Sequence, residues 1–97
     1  MNVQNLMAQA QKVQKELEKA NAKIEASTYE GKSGAVTAII TGENIVDKIT
    51  ITDETVLSDK ELLEDMIVLA LNDAFAKLAE DKSEKLGKYT GGLGGLF

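Results

Sequence analysis

Lys12, Lys15, Lys19 and Lys23 recur at intervals of three, four and four residues. On a helix their directions fall within about 80° of one another, so the four ammonium groups form one stripe. Such a stripe can touch successive phosphates of a polyanion without reading bases. A solvated helix face is the plainer account of the same spacing, and Glu16 beside the stripe favours it. Lys82, Lys85 and Lys88 form a smaller group towards the chain end, where cations also complement the negative end of a helix dipole. The carboxylates offer less. Glu61 and Asp65 stand four apart, a spacing that can share a divalent ion, yet no Asp-x-Asp loop or further ligand accompanies them, and a helix start explains them better. Asn72 and Asp73 interrupt an apolar run and read as solvated residues or as a register lock between two copies, rather than as a catalytic acid.

Equally informative are the residue types that are missing. The 97 residues contain no His, no Cys and no Pro, and all 11 cations are Lys. The commonest general base, the commonest transition-metal ligand and the thiol nucleophile are therefore unavailable. No enzyme, no cofactor and no metal site are expected, and no small-molecule substrate is evident. Without Arg, bidentate recognition of guanine edges is excluded, so a nucleic-acid contact made by this chain would be backbone-directed, weakly sequence-selective and steeply salt-dependent. Only four aromatics, Tyr29, Phe75, Tyr89 and Phe97, are present, too few for a base-stacking platform. Double-stranded DNA is the better match. The Gly-rich end lacks the Lys-Ser/Thr of a phosphate loop.

A formal net charge of -5 opposes a polyanion partner on its face, but its distribution matters more. Residues 1–26 hold four Lys against three acids, and residues 82–97 hold three Lys against one. Between them, residues 58–81 hold seven acids against two Lys. Both ends are mildly cationic and the middle is acidic, which also leaves room for a second reading: an adaptor that binds another protein through its acidic middle or its apolar tail.

Three kinds of element must position these groups. Val3, Leu6, Ala10, Val13, Leu17, Ala20 and Ile24 follow the alternating three-and-four spacing of a helical seam, predicting a helix over about residues 2–26 with the lysines on its other side. From residue 27 the vocabulary changes to Thr, Val, Ile and Tyr broken by Gly, which predicts an antiparallel meander with strands near 27–30, 35–41 and 45–52. Ile45, Ile49 and Ile51 should share the dry face of the third strand. Ser58-Asp59-Lys60-Glu61 has the form of a capping box, with Leu57 and Leu62 as its hydrophobic staple, and opens a second helix running to about residue 86. The expected class is α+β: an α-β-β-β-α protomer whose three-stranded antiparallel sheet is flanked by two long helices. One domain, residues 1–86, is followed by a flexible Gly-rich tail, residues 87–97.

The second helix is apolar on more than one side, and at about 42 Å it overhangs strands of about 23 Å. Pairing two copies is the simplest way to cover the excess, and Leu63, Met66, Ile67, Ala70 and Ala74 are the candidate homodimer interface. No basic segment leads into an apolar stretch at the N-terminus and no run approaches membrane-spanning length, so the chain is expected to stay in the cytoplasm, away from membranes.

In sequence order, several segments resemble one family. Asn5-Leu6-Met7-Ala8-Gln9-Ala10-Gln11-Lys12-Val13-Gln14-Lys15 is similar to the amide- and Met/Lys-rich opening helix of YbaB/EbfC proteins, and Glu30-Gly31-Lys32-Ser33-Gly34 to the turn that starts their sheet. Leu62-Leu63-Glu64-Asp65-Met66-Ile67, leading to Leu71-Asn72-Asp73-Ala74, resembles their second helix, and Gly94-Gly95-Leu96-Phe97 their Gly-rich, Phe-ended tail. The resemblance covers almost the whole chain. It implies a bacterial, cytoplasmic, nucleoid-associated homodimer whose protruding helices grip duplex DNA, with a role in nucleoid organisation and gene regulation. A link to recombination or repair is the alternative it suggests. By type and position it would give Lys12, Lys15, Lys19 and Lys23 the DNA contacts; Lys82 and Lys85, from the smaller lysine group, are the further DNA-binding candidates.

Overall fold

The computed structural model describes residues 2–93, in the order α1 (Val3–Glu25), β1 (Thr28–Ser33), β2 (Val36–Thr41), β3 (Val46–Ile51), a 3-10 turn (Glu54–Ser58) and α2 (Lys60–Leu93). The α1 helix is capped by Asn2, whose side chain accepts from the Gln4 N–H at 3.0 Å. At its other end the Ser27 hydroxyl donates to the Lys23 carbonyl at 2.6 Å. The three strands form an antiparallel sheet with β2 in the centre. Along β2, Val36, Ala38 and Ile40 are fully buried and alternate with half-buried neighbours, as a sheet with one dry face requires.

That dry face is covered by α2. Ala70, Ala74 and Leu78 lie buried against the sheet, and Ile24 from the end of α1 joins Ile40, Ala74 and Leu78 in one cluster. Small residues set the spacing here. A Cβ at Gly31 of β1 would stand 2.0 Å from the Ala70 carbonyl oxygen and 2.4 Å from the Ala74 nitrogen, so β1 and α2 meet backbone to backbone. Gly42 does the same for α1: a Cβ there would lie 1.7 Å from the Ile24 carbonyl oxygen. Both helices are thus fixed to the sheet at glycines.

Away from those anchor points the molecule is drawn out. It measures 69 × 23 × 14 Å with a radius of gyration of 19.3 Å, against about 12.5 Å for a compact chain of this length. The two helices, of 23 and 34 residues, give it this length, and in the N-terminal half of α1 every described residue through Lys15 is exposed.

Several local expectations change. Gly31, Lys32 and Ser33 belong to β1 rather than to a turn, because Gly31 is needed inside the strand where α2 crosses it. A register shift in β3 places Val46, not Ile45, opposite Ile40, while Ile49 and Ile51 keep their places opposite Ala38 and Val36. The capping box does not form. Ser58 ends the 3-10 turn by donating to the Thr55 carbonyl, and Asp59 caps α2 by accepting from the Leu62 N–H at 3.1 Å, one residue later than the pattern suggests. Leu57 and Leu62 stay exposed instead of closing a staple. Finally, α2 continues through Leu93, so residues 87–93 are helical rather than a loose tail. Leu86 packs on the Ile24 cluster, and this tertiary contact carries the helix into Gly87 against its poor intrinsic propensity. Residues 94–97 of the expected tail lie outside the described residues.

Candidate nucleic-acid interface

The α1 and α2 helices run antiparallel where they touch, since Ile24 meets Leu78 while Glu16 and Ala20 lie beside Tyr89. This packing uses the seam of α1 only from Leu17 onward; Val3, Leu6, Met7 and Val13 remain exposed. The opposite side of α1 carries Lys12, Lys15, Lys19 and Lys23, all exposed. Their charge is uncommitted. Among the described residues the ion pairs are Lys32 with Glu30 at 3.7 Å, Lys60 with Glu64 at 3.9 Å, Lys77 with Asp73 at 3.4 Å and Lys85 with Asp81 at 2.7 Å. None involves the four α1 lysines.

Two shallow troughs follow the stripe. The outer one is bordered by Ala8, Gln11, Lys12, Lys15, Glu16 and Lys19 on α1 alone. The inner one, a cleft of about 280 Å³, lies between the helices and is lined by Glu16, Lys19, Ala20 and Lys23 from α1 and by Lys85 and Tyr89 from α2. Lys85 is therefore brought to the α1 stripe across the helix pair. Lys82 is not: it borders a separate hollow with Asn21, Ile24, Glu25, Gly42, Glu43 and Asn44, where two carboxylates accompany it.

Beneath the inner cleft lies a polar link that sequence reasoning missed. The Lys85 ammonium donates to both carboxylate oxygens of Asp81, at 2.7 and 2.8 Å, and the Tyr29 hydroxyl from β1 donates to the same carboxylate. The hydrogen bond from Lys85, then that from Tyr29, hold the Asp81 carboxyl below its ordinary value. Tyr29 moves the other way: partial burial first, then its bond to Asp81, push the phenol up. The i,i+4 spacing of Asp81 and Lys85 was a visible signal for half of this link; Tyr29, 52 residues away, gave none.

A second polar link assigns Asp73. Its carboxylate accepts from the Lys32 N–H at 3.0 Å, and Lys77 donates to the Glu30 carbonyl at 2.7 Å, so α2 caps the free edge of β1 with one acid and one base. The hydrogen bond from the Lys32 N–H is the main reason the Asp73 carboxyl is lowered. Asp73 is thus a strand cap rather than a register lock or an acid catalyst.

The candidate interface on α2 divides in the same concrete way. Ala70 and Ala74 are fully buried inside the protomer, and Leu63, Met66 and Ile67 are half-buried against the Val36 cluster. Ala70 and Ala74 have no surface left to present to a second copy, because their small side chains are what admits β1. Outside α1, the exposed large apolar residues among those described are instead Ile45, Val46, Ile49 and Leu57, with Leu62, Val68 and Leu69 on α2. Among the described residues no helix is long and apolar enough to cross a membrane.

Compared with known proteins, the chain matches the profile of the YbaB/EbfC DNA-binding family over residues 1–93. The chain belongs to that family. A nucleoid-associated protein of Streptococcus thermophilus is 45% identical over 96 residues, covering 96% of this chain and 97% of the relative. Another, from Ruminiclostridium cellulolyticum, is 44% identical over 98 residues, covering 98% and 85%. The crystal structure of uncharacterized protein HP0035 from Helicobacter pylori has the same fold, with a TM-score of 0.71 at 24% identity over 87% of this chain and 91% of that one. YbaB/EbfC is a nucleoid-associated, DNA-binding family.

Proposed function

We propose that the chain binds double-stranded DNA as a homodimer, mainly through the phosphate backbone, in the cytoplasm at the nucleoid, where it contributes to nucleoid organisation and gene regulation without catalysing a reaction. The observation that carries this reading is the set of four exposed, unpaired lysines on one side of a projecting helix. Ammonium groups at one-turn intervals match a ladder of phosphates and provide no base readout. The names of the relatives support the same partner.

A second copy is supported by unmatched apolar surface. The α2 helix covers β1 and β2 but leaves Val46 at 45% and Ile49 at 36% exposure on the face that should be dry. The β1 edge is closed by Asp73 and Lys77, whereas among the described residues no side chain is bonded along the outer edge of β3. On this reading the homodimer contact lies on β3, around Val46 and Ile49.

Fluorescence anisotropy with a labelled duplex across a salt series tests the DNA reading. Four phosphate contacts per arm give a log–log slope of about -3.6, or about -7 if both arms of a dimer engage. Changing Lys12, Lys15 and Lys19 together to Glu should abolish binding at 100 mM salt while leaving the fold intact. A wild-type chain that fails to bind duplex even at low salt ends this reading. Nuclease-resistant co-purification with a protein partner would then favour an adaptor linked to recombination or repair, working through the exposed acids Glu61, Glu64 and Asp65.

A further inference from the structure

The cleft between α1 and α2 gathers three lysines, yet they are not equivalent. Lys19 and Lys23 have no ion-pair partner among the described residues, whereas Lys85 is held by both oxygens of Asp81 at 2.7 and 2.8 Å. The Lys85–Asp81 pair is also the most sheltered ion pair in the described structure, with side-chain exposures of 38% and 22%, against 88% and 61% for Lys60 and Glu64. Sheltered charges are less screened by salt than exposed ones. The carboxylate cannot swing away freely, because the Tyr29 hydroxyl holds it from β1. Glu16, the other acid of the cleft, has no such restraint: no ion pair among the described residues involves it.

We propose that Asp81 is a built-in counter-ion that occupies Lys85 and withholds it from the DNA backbone, so that the cleft binds phosphodiester more weakly than its three lysines would allow. This rests on the DNA reading above and adds to it a residue that sets affinity from outside the contact surface. A phosphate entering between Lys19 and Lys23 meets the negative charge of Asp81 behind Lys85 and gains no net third cation. The carboxylate acts as a positioning residue: it fixes where the Lys85 ammonium stands and cancels its charge in one step.

Asp81→Asn removes the charge while keeping an oxygen that can accept from Tyr29, so the fold should survive, as a circular-dichroism melt will show. With Lys85 released, duplex affinity at low salt should rise, by up to about fivefold for one exposed charge pair. The salt slope should steepen by about 0.9, the signature of one added phosphate contact, which a purely structural role for Asp81 would not produce. Lys85→Gln bares the Asp81 charge and should weaken binding without flattening the salt slope, whereas in the Asp81→Asn background it should return the slope to the wild-type value. An unchanged slope in Asp81→Asn, or an equal change of slope from Lys85→Gln in both backgrounds, overturns the proposal while leaving DNA binding itself intact. Absence of wild-type binding at low salt removes the DNA reading instead, and this inference with it.

Discussion

The sheet-facing side of α2 and the projecting half of α1 are both helix, and they are built on opposite terms. Along α2, Ala70 and Ala74 are fully buried and lie so close to β1 that only Gly fits at position 31. Along α1, every described residue through Lys15 is exposed, including Val3 at 66% and Met7 at 59%. Folding free energy therefore resides where the helix meets the sheet, and charge is displayed along a helix whose outer half meets nothing described within the protomer and whose inner lysines, Lys19 and Lys23, border the cleft with α2. Substitutions in the two regions should separate stability from binding almost completely.

The largest effect should come from Gly31→Val, which drives a side chain into the α2 backbone. A destabilisation of about 3 kcal/mol is expected for an overpacked site, lowering the thermal midpoint by roughly 12 °C or more. A midpoint within a few degrees of wild type would mean that α2 does not sit as tightly on β1 as described. The triple Lys-to-Glu variant of α1 is the converse case, with duplex binding lost and the melt unchanged; a lowered midpoint would show that the arm is packed after all.

Next in size is Ile49→Lys, which places a charge on the uncovered part of the sheet. Under the proposed homodimer contact, sedimentation should show a pair for wild type and a lone protomer for Ile49→Lys, at little cost to secondary structure. Identical sedimentation of the two chains would move the contact away from β3.

Acid titration offers a finer test within the packed region. Asp73 and Asp81 have folded values below the ordinary 3.8, so their contribution is full above that value and is lost as pH falls through the lowered ones. Unfolding should begin only below about pH 4, and Asp73→Asn or Asp81→Asn should flatten the acid limb. Tyr29 acts at the other extreme: its raised value favours the folded state up to pH 10.0 and loses that contribution as pH rises further. Smallest of all should be Leu6→Ala, within about 0.5 kcal/mol of wild type, compared with a clear loss for Leu17→Ala where the same seam reaches α2.

The contrast between the regions also explains what the sequence made legible. The long seam of α1, the change to β-branched residues and the broad apolar run of α2 each repeat over many residues, and they gave the order of elements correctly. Features set by a single close approach did not announce themselves. Gly31 looked like a turn because nothing in its neighbourhood reveals that Ala70 and Ala74 cross it. The helix start moved from Ser58 to Asp59 because the 3-10 turn claims the serine hydroxyl. Lysine spacing gave the α1 stripe, whereas the Tyr29 hydroxyl that holds the Asp81 carboxylate and the separation of Lys82 depend on tertiary distance. Ala70 and Ala74 were apolar for a reason internal to the protomer, so pattern alone could not tell that surface from one offered to another copy.

Asp73 and Lys77 have an effect beyond the strand they cap. With the Glu30 carbonyl and the Lys32 N–H already satisfied, strand addition at that border would have to displace both side chains. Joining at the opposite border meets no such obstacle among the described residues, so the two edges of the sheet differ in how readily they take up another strand, and lengthening of a ribbon by repeated strand addition is disfavoured.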